Sequence, residues 1–209
     1  MIKYAVFSHI PYSYDKGRYI TMSLWHWDIK AHMRSLADFS KLSVVAPMSS
    51  PSMIRNPAVF LKEDFAMLEL HPLPFTPTIK DFIRSLPRLV HNINSCVSDS
   101  DIIQSNSTLF PPVGVIALVL ALFKNKKRIF VIDSDMVKDL EIKVLLEKKT
   151  GKRLLLIAAK IFTSFLLNFC VAASNLTIAV GGGLQRRYGH WRDLYRYVCP
   201  GYCHDLHRA

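Results

Sequence analysis

The sequence lacks the marks of several large protein classes. Its four cysteines, Cys96, Cys170, Cys199 and Cys203, are too few and too scattered for a disulfide scaffold. Cys96 and Cys170 fall in apolar helical patterns and read as core residues, which suits a reducing cytoplasm. No G-x-G-x-x-G fingerprint occurs, so a standard dinucleotide site is excluded. The stretch "EKKTGKRLL" lacks the second glycine spacing and the Ser/Thr after lysine that a phosphate loop needs. No zinc finger, RNP-type aromatic motif or recognition helix is present, so nucleic acid is not an expected partner; Trp25 and Trp27, with His26 between them, would stack bases or anchor to lipid equally well. The tail "CPGYCHDLH" groups Cys199, Cys203, His204 and His207 at spacings foreign to zinc or haem sites, and no metal is expected. After Lys3 the N-terminus has no long apolar stretch, so it reads as a first strand and not as a signal peptide.

Acidic residues are also scarce: 16 Asp and Glu stand against 27 Lys and Arg, a net charge of +11. The basic excess is three over residues 1–100 and eight over residues 101–209. By charge alone this favours an anionic partner: nucleic acid, acidic lipid headgroups or a phosphorylated substrate. With 50% hydrophobic residues in 209, one globular domain with a sizeable core is expected.

Strand-like and helix-like segments alternate along the chain. Short apolar runs at "KYAVFSH", "KLSVVAPM", "FAMLELHPLPF", "DIIQSNS", "KRIFVID" and "NLTIAVG" read as six strands. A helix is expected over "YITMSLWHWDIKAHMRSLADF". Another, over "TIKDFIRSLPRLVHNINSCVSDS", is expected to break or restart at Pro87. "PPVGVIALVLALFKN" reads as a buried helix with its prolines in the first turn, and a long helical region is expected over about residues 138–174. The alternation predicts an α/β fold: a Rossmann-like parallel sheet of about six strands with helices on both faces. In such sheets ligands bind beyond the carboxyl ends of the strands.

The stretch "LLLIAAKIFTSFLLNFCVAA" (154–173) is long enough to span a bilayer core, but Lys160 and Asn168 interrupt it. A helix packed on the sheet or lying in a membrane interface, with "KKTGKR" at the headgroups, is expected instead.

Three loops carry candidate chemistry. His9, Asp15, Gly17 and Arg18 share the loop after the first strand, where a glycine admits close backbone approach and arginine adds charge. His9 reads as a satisfied loop histidine or as a catalyst. Asp133, Asp135 and Asp139 follow the fifth strand. They suit a helix N-terminus, or a polar group that binds a sugar hydroxyl or acts as general base; two aspartates at i and i+2 are thin for a metal. Gly181, Gly182 and Gly183 form either a tight turn or an anion seat at a helix N-terminus.

"FSHIPYSYDKGRY", "DIIQSNSTLFPPVGVIALVLALFKNKKRIFVIDSDMVKDLE" and "ASNLTIAVGGGLQRRYGHW", in that order, resemble the N-terminal half of a GT-B glycosyltransferase of the retaining family 4 type. "YRYVCPGYCHDLHR" resembles the turn that leads into that family's second domain. The resemblance covers nearly the whole chain. It implies a Rossmann-like acceptor-side domain over residues 1–198, with 199–209 as linker or mobile tail. The complete enzyme would transfer a sugar from a nucleotide-sugar to a carbohydrate or lipid-linked acceptor, with no metal or other cofactor. It implies that Gly17 and Arg18 approach the donor phosphates and that Asp15, Gln104, Ser105 and Asn106 face the acceptor.

The sequence also departs from that family. The donor half and its Glu-x7-Glu pattern are missing from the 209 residues, so the chain reads as a fragment, a truncated gene product or half of a split enzyme whose partner is a separate donor-binding chain, and alone it is expected to be inactive. Where many relatives carry a histidine after strand four, Gln104, Ser105 and Asn106 stand, none a competent base at neutral pH. The catalytic candidates are therefore Asp133, Asp135 and His9. The expected location is cytoplasmic, at the inner membrane face. A non-catalytic module that docks on a membrane surface or a partner is the alternative from another class.

Overall fold

The computed structural model describes residues 2–15, 18–35, 39–61, 68–108, 110–180, 184 and 194–197. The chain is α/β with a Rossmann-like parallel arrangement of strands flanked by helices, and it divides into two compact units, residues 1–128 and 129–209.

In the first unit β1 (Ile2–Phe7) pairs in parallel with β4 (Phe39–Pro47) on one side and β7 (Ile102–Asn106) on the other. β6 (Leu68–Leu73) lies outside β4, giving the order β7-β1-β4-β6. Phe7 stands level with Val45 of β4 and Ser105 of β7. Strand alternation sends Ala5, Phe7, Val45, Leu73 and Ile103 to one face, where they form a single buried cluster with residues of two helices. α2 (Ile79–Asp99) contributes Leu89, Ile93, Cys96 and Val97, and α3 (Val113–Phe123) contributes Val113, Ala117 and Ala121. Both sets follow the spacing of one helical stripe. The strands' other face is buried too, through Tyr4, Val6, Leu42 and Val44, which is why these strands read as continuous apolar runs.

Two expectations need correction here. α2 runs through Pro87 without a break. Pro87 lies on the exposed side of the helix, as does Ile83 at 64% exposure. The carbonyl that proline deprives of a donor therefore faces solvent, and the helix survives. Its start is fixed by Thr78, whose hydroxyl accepts from Asp81 N at 3.2 Å.

The segment expected to be helical from Tyr19 instead begins as a strand. β2 (Tyr12–Asp15), β3 (Arg18–Met22) and β5 (Pro57–Leu61) form a three-stranded antiparallel ribbon, and α1 (Ser23–Ser35) starts only after it. Tyr14 and Tyr19 sit opposite one another with ring centroids 4.8 Å apart. Such aromatic cross-strand pairs, followed by the β-branched Ile20 and Thr21, favour a pleated ribbon over a helix.

The second unit contains β8 (Lys127–Ile132) from Ile129 onward, β9 (Leu176–Val180) and β10 (Leu194–Tyr197), all parallel, with β9 in the middle. β8 and β9 are joined through α4 (Met136–Leu146) and α5 (Thr150–Ala173), so the long helical region is two helices with Glu147–Lys149 between them. α5 buries Thr163, Leu167, Cys170, Val171 and Ala173. The six expected strands are β1, β4, β6, β7, β8 and β9; among the described residues β10 is a further parallel strand and the ribbon adds β2, β3 and β5.

Candidate functional site

In the first unit, chemistry gathers at the carboxyl edge of the sheet. β1 ends at Phe7 and delivers Ser8 and His9; the neighbouring β7 ends at Asn106 and delivers Ser107 and Thr108. Because the two strands are parallel and in register at Phe7 and Ser105, residues far apart in sequence meet beyond their tips. His9 Nδ1 lies 2.9 Å from Asn106 Nδ2 and 2.6 Å from Thr108 Oγ1. An amide nitrogen only donates, so Nδ1 is the acceptor and the neutral ring carries its hydrogen on Nε2. Behind His9, Ser8 Oγ accepts from Ile10 N at 3.1 Å, and Ser8 N donates to Val45 O at 3.0 Å. The loop that positions the ring is thereby tied to β4.

Two polar atoms at this edge are buried with no hydrogen-bond partner among the described residues: Ser105 Oγ and Asn106 Oδ1. Ser105 is wholly buried. A third such atom, Thr76 Oγ1, sits in the loop that follows β6. A buried polar group without a partner costs about 1–3 kcal/mol, which makes this edge a candidate site for a hydrogen-bonding ligand.

α3 is pressed against the same strand end. A Cβ on Gly114 would stand 2.9 Å from Asn106 O and 3.2 Å from Ser105 Cβ. Only glycine permits this approach, and it sets how close the first turn of α3 comes to Asn106.

The residues singled out from the sequence have separate fates. His9 and Asn106 are brought together. Gln104, Ser105 and Asn106 do not face one ligand as a row, because strand alternation places Ser105 on the side opposite its two neighbours. Gln104 instead accepts a hydrogen bond from the Tyr4 hydroxyl. Burial pushes that phenol above its ordinary range and keeps it a donor. Asp15 and Arg18 are partners across the tip of the β2–β3 hairpin and both are exposed. They stand three residues of extended strand, about 10 Å, beyond Tyr12. Gly17 lies outside the described residues, as do Gly181, Gly182, Gly183, Cys199 and Cys203.

Asp133 and Asp135 belong to the second unit. Asp135 is the N-cap of α4: its carboxylate accepts from Lys138 N at 3.0 Å. Asp139 lies in the first turn of the same helix, where a carboxylate meets the positive end of the helix dipole. Asp133 accepts from Ser134 Oγ at 3.3 Å. Among the described residues, no group of three or more His, Cys, Asp or Glu is placed to hold a metal ion.

Thr108, Thr76 and Tyr4 were not visible as site residues in the sequence. Thr108 had a faint signal, since it closes the small polar run "SNST" after an apolar strand. Tyr4 had none, since its partner Gln104 is 100 residues away. At the opposite, amino edge of the sheet an ion network links the strands to the end of α2: Lys41 contacts Glu69 and lies 3.2 Å from Asp99, and Lys3 lies 2.6 Å from Asp99. Those lysines hold the Asp99 carboxyl below its usual range.

Comparison of the sequence with family models and with curated proteins finds no match.

Proposed function

We propose that this chain is the acceptor-side half of a GT-B-like glycosyltransferase, and that the carboxyl edge of its first sheet binds a sugar hydroxyl of a carbohydrate or lipid-linked acceptor. The observation that carries the reading is an oriented histidine beside Asn106, whose buried Oδ1 has no hydrogen-bond partner among the described residues. A sugar hydroxyl can donate to the Asn106 amide oxygen, which accepts. The edge is also where an open parallel sheet places its ligands. In this reading His9 is held by Asn106 and Thr108 at the acceptor site, while Asp135 serves α4 as a cap. The nucleotide-sugar is a co-substrate held by a donor-binding domain or chain, which supplies the charge that stabilises the leaving diphosphate.

The test is saturation-transfer NMR on the 209-residue chain with methyl glycosides of glucose, galactose, mannose and N-acetylglucosamine. At least one sugar receives saturation, and Asn106→Leu abolishes it while the circular dichroism spectrum is unchanged. No transfer to any of the four, or equal transfer in the variant, overturns the proposal. Sugar transfer by this chain alone, at the rate of a complete enzyme, would also count against it.

A further inference from the structure

The solvent side of α5 is apolar from end to end. Leu154, Leu155, Ile161, Phe162, Phe165 and Phe169 are all exposed, Leu155 at 72% and Phe165 at 69%. At 100° per residue they fall within roughly 120° of the helix surface, joined by Gly151, Ala158 and Ala172; Ala173, at the edge of that arc, is buried. From Leu154 to Ala172 the strip is about 27 Å long. α4 extends it at the turn of the hairpin through Leu145 and Leu146, 73% and 74% exposed. An apolar surface of this extent marks an interaction site.

We propose that this face docks on an anionic phospholipid leaflet, with α5 lying in the plane of the interface. Lys148, Lys149, Lys152 and Arg153 cluster where the hairpin turns and are all exposed. They share that position with the N-terminal, positive end of α5. Phosphate headgroups answer that charge, and the acyl boundary answers the leucines and phenylalanines. A second copy of the chain answers it poorly. Two of the hairpin's carboxylates are already engaged within it, Glu141 with Lys160 at 2.9 Å and Glu147 with Lys152 at 2.9 Å.

α5 is, among the described residues, the one helix long and apolar enough to cross a membrane, yet the structure argues for an in-plane position. Lys160, midway along it, is paired to α4, and Thr163, Leu167, Cys170 and Val171 on its reverse side are buried. Threading it through a bilayer would break both sets of contacts.

The inference does not rest on the sugar-binding reading. The experiment is co-sedimentation of the full chain with vesicles of phosphatidylcholine, alone or mixed with phosphatidylglycerol. Binding to the mixed vesicles exceeds binding to phosphatidylcholine on the order of tenfold or more, and raising the salt concentration weakens it. Lys148→Glu with Lys149→Glu removes the preference for anionic lipid. Phe162→Glu with Phe165→Glu abolishes binding to both vesicle types; Leu145→Asp, on the other helix, weakens it independently. The circular dichroism spectrum and urea midpoint of each variant report whether the fold is intact. Absence of vesicle binding, or wild-type binding by the phenylalanine double variant, overturns the proposal. So does a dimer in sedimentation that Phe165→Glu dissociates without any lipid effect, which would assign the face to a second copy.

Discussion

His9 and Asn106, 97 residues apart, hold one another at 2.9 Å beyond the tips of two adjacent parallel strands. The contact fixes the tautomer of the ring. We expect nitrogen-detected NMR to find the hydrogen of neutral His9 on Nε2. In Asn106→Ala the ring should sample both tautomers, and stability should fall by about 1 kcal/mol in urea, the net worth of one part-buried hydrogen bond. A tautomer unchanged by the substitution would show that Asn106 does not orient the ring.

Gly114 and Gly151 are a matched pair of helical glycines with opposite surroundings. Gly114→Ala drives a methyl to 2.9 Å from a backbone oxygen of Asn106. It should cost about 1–3 kcal/mol and shift the amide resonances of residues 105–108. Gly151 has nothing within 4 Å of its Cβ position, so Gly151→Ala should stabilise by about 0.5 kcal/mol through helix propensity. Equal effects from the two would refute the close approach of α3 to β7.

Asp135 gives a direct contrast between cap and catalyst. Asparagine caps a helix as well as aspartate does, whereas alanine does not. Asp135→Asn should leave the urea midpoint nearly unchanged, and Asp135→Ala should lose about 1 kcal/mol. If the two variants lose the same amount, the hydrogen bond to Lys138 N is not what Asp135 provides.

His71 and His26 set the direction of one pH dependence. Burial lowers the pKa of His71 even though Glu69 stands 3.4 Å away and pulls the other way. Burial, then Lys30, lowers that of His26. With folded values below the unfolded value of about 6.5, the unfolded chain takes up protons first as pH falls. Stability is therefore full above about pH 6.5 and declines as pH drops through that value towards the folded pKa values. Urea midpoints at about pH 7.5 and about pH 5.5 should differ in that sense, and His71→Gln should flatten the slope. Asp99, whose pKa is lowered by Lys3 and Lys41, adds a further loss with the same sign at more acidic pH.

Cys96 and Cys170 are buried, and burial pushes their thiols up to about 11 and about 12. Neither should react with an alkylating reagent at neutral pH until denaturant is added, as peptide mass spectrometry would show. Prompt native labelling of either would mean that the helix carrying it opens readily.

The fold was legible in the sequence wherever one physical signal dominated. The continuous apolar runs "VVAPM" and "RIFVI" are strands because both of their faces are covered. The spacing of Leu89, Ile93, Cys96 and Val97 is the buried stripe of α2. The β2–β3–β5 ribbon was not legible, because the apolar periodicity from Ile20 onward mimics a helix while the deciding contact, Tyr14 against Tyr19, lies across a turn. Pro87 misled for a similar reason: its cost depends on whether the deprived carbonyl meets water, which the sequence does not state. Of the site, His9 and Asn106 were named separately. Their meeting was hidden, since it follows from the placement of β7 beside β1.

That placement has a consequence for how the chain is made. Tyr4 reaches Leu42 in β4 long before Ile102 in β7 has left the ribosome. The later closure costs only about 0.8 kcal/mol more in chain entropy. At roughly 5–20 residues per second, however, β1 waits several seconds with one side bare. During that interval it is a hydrophobic border strand open to mispairing. Chaperone demand should peak just before residue 102 emerges and fall once "IIQSN" seals the seam.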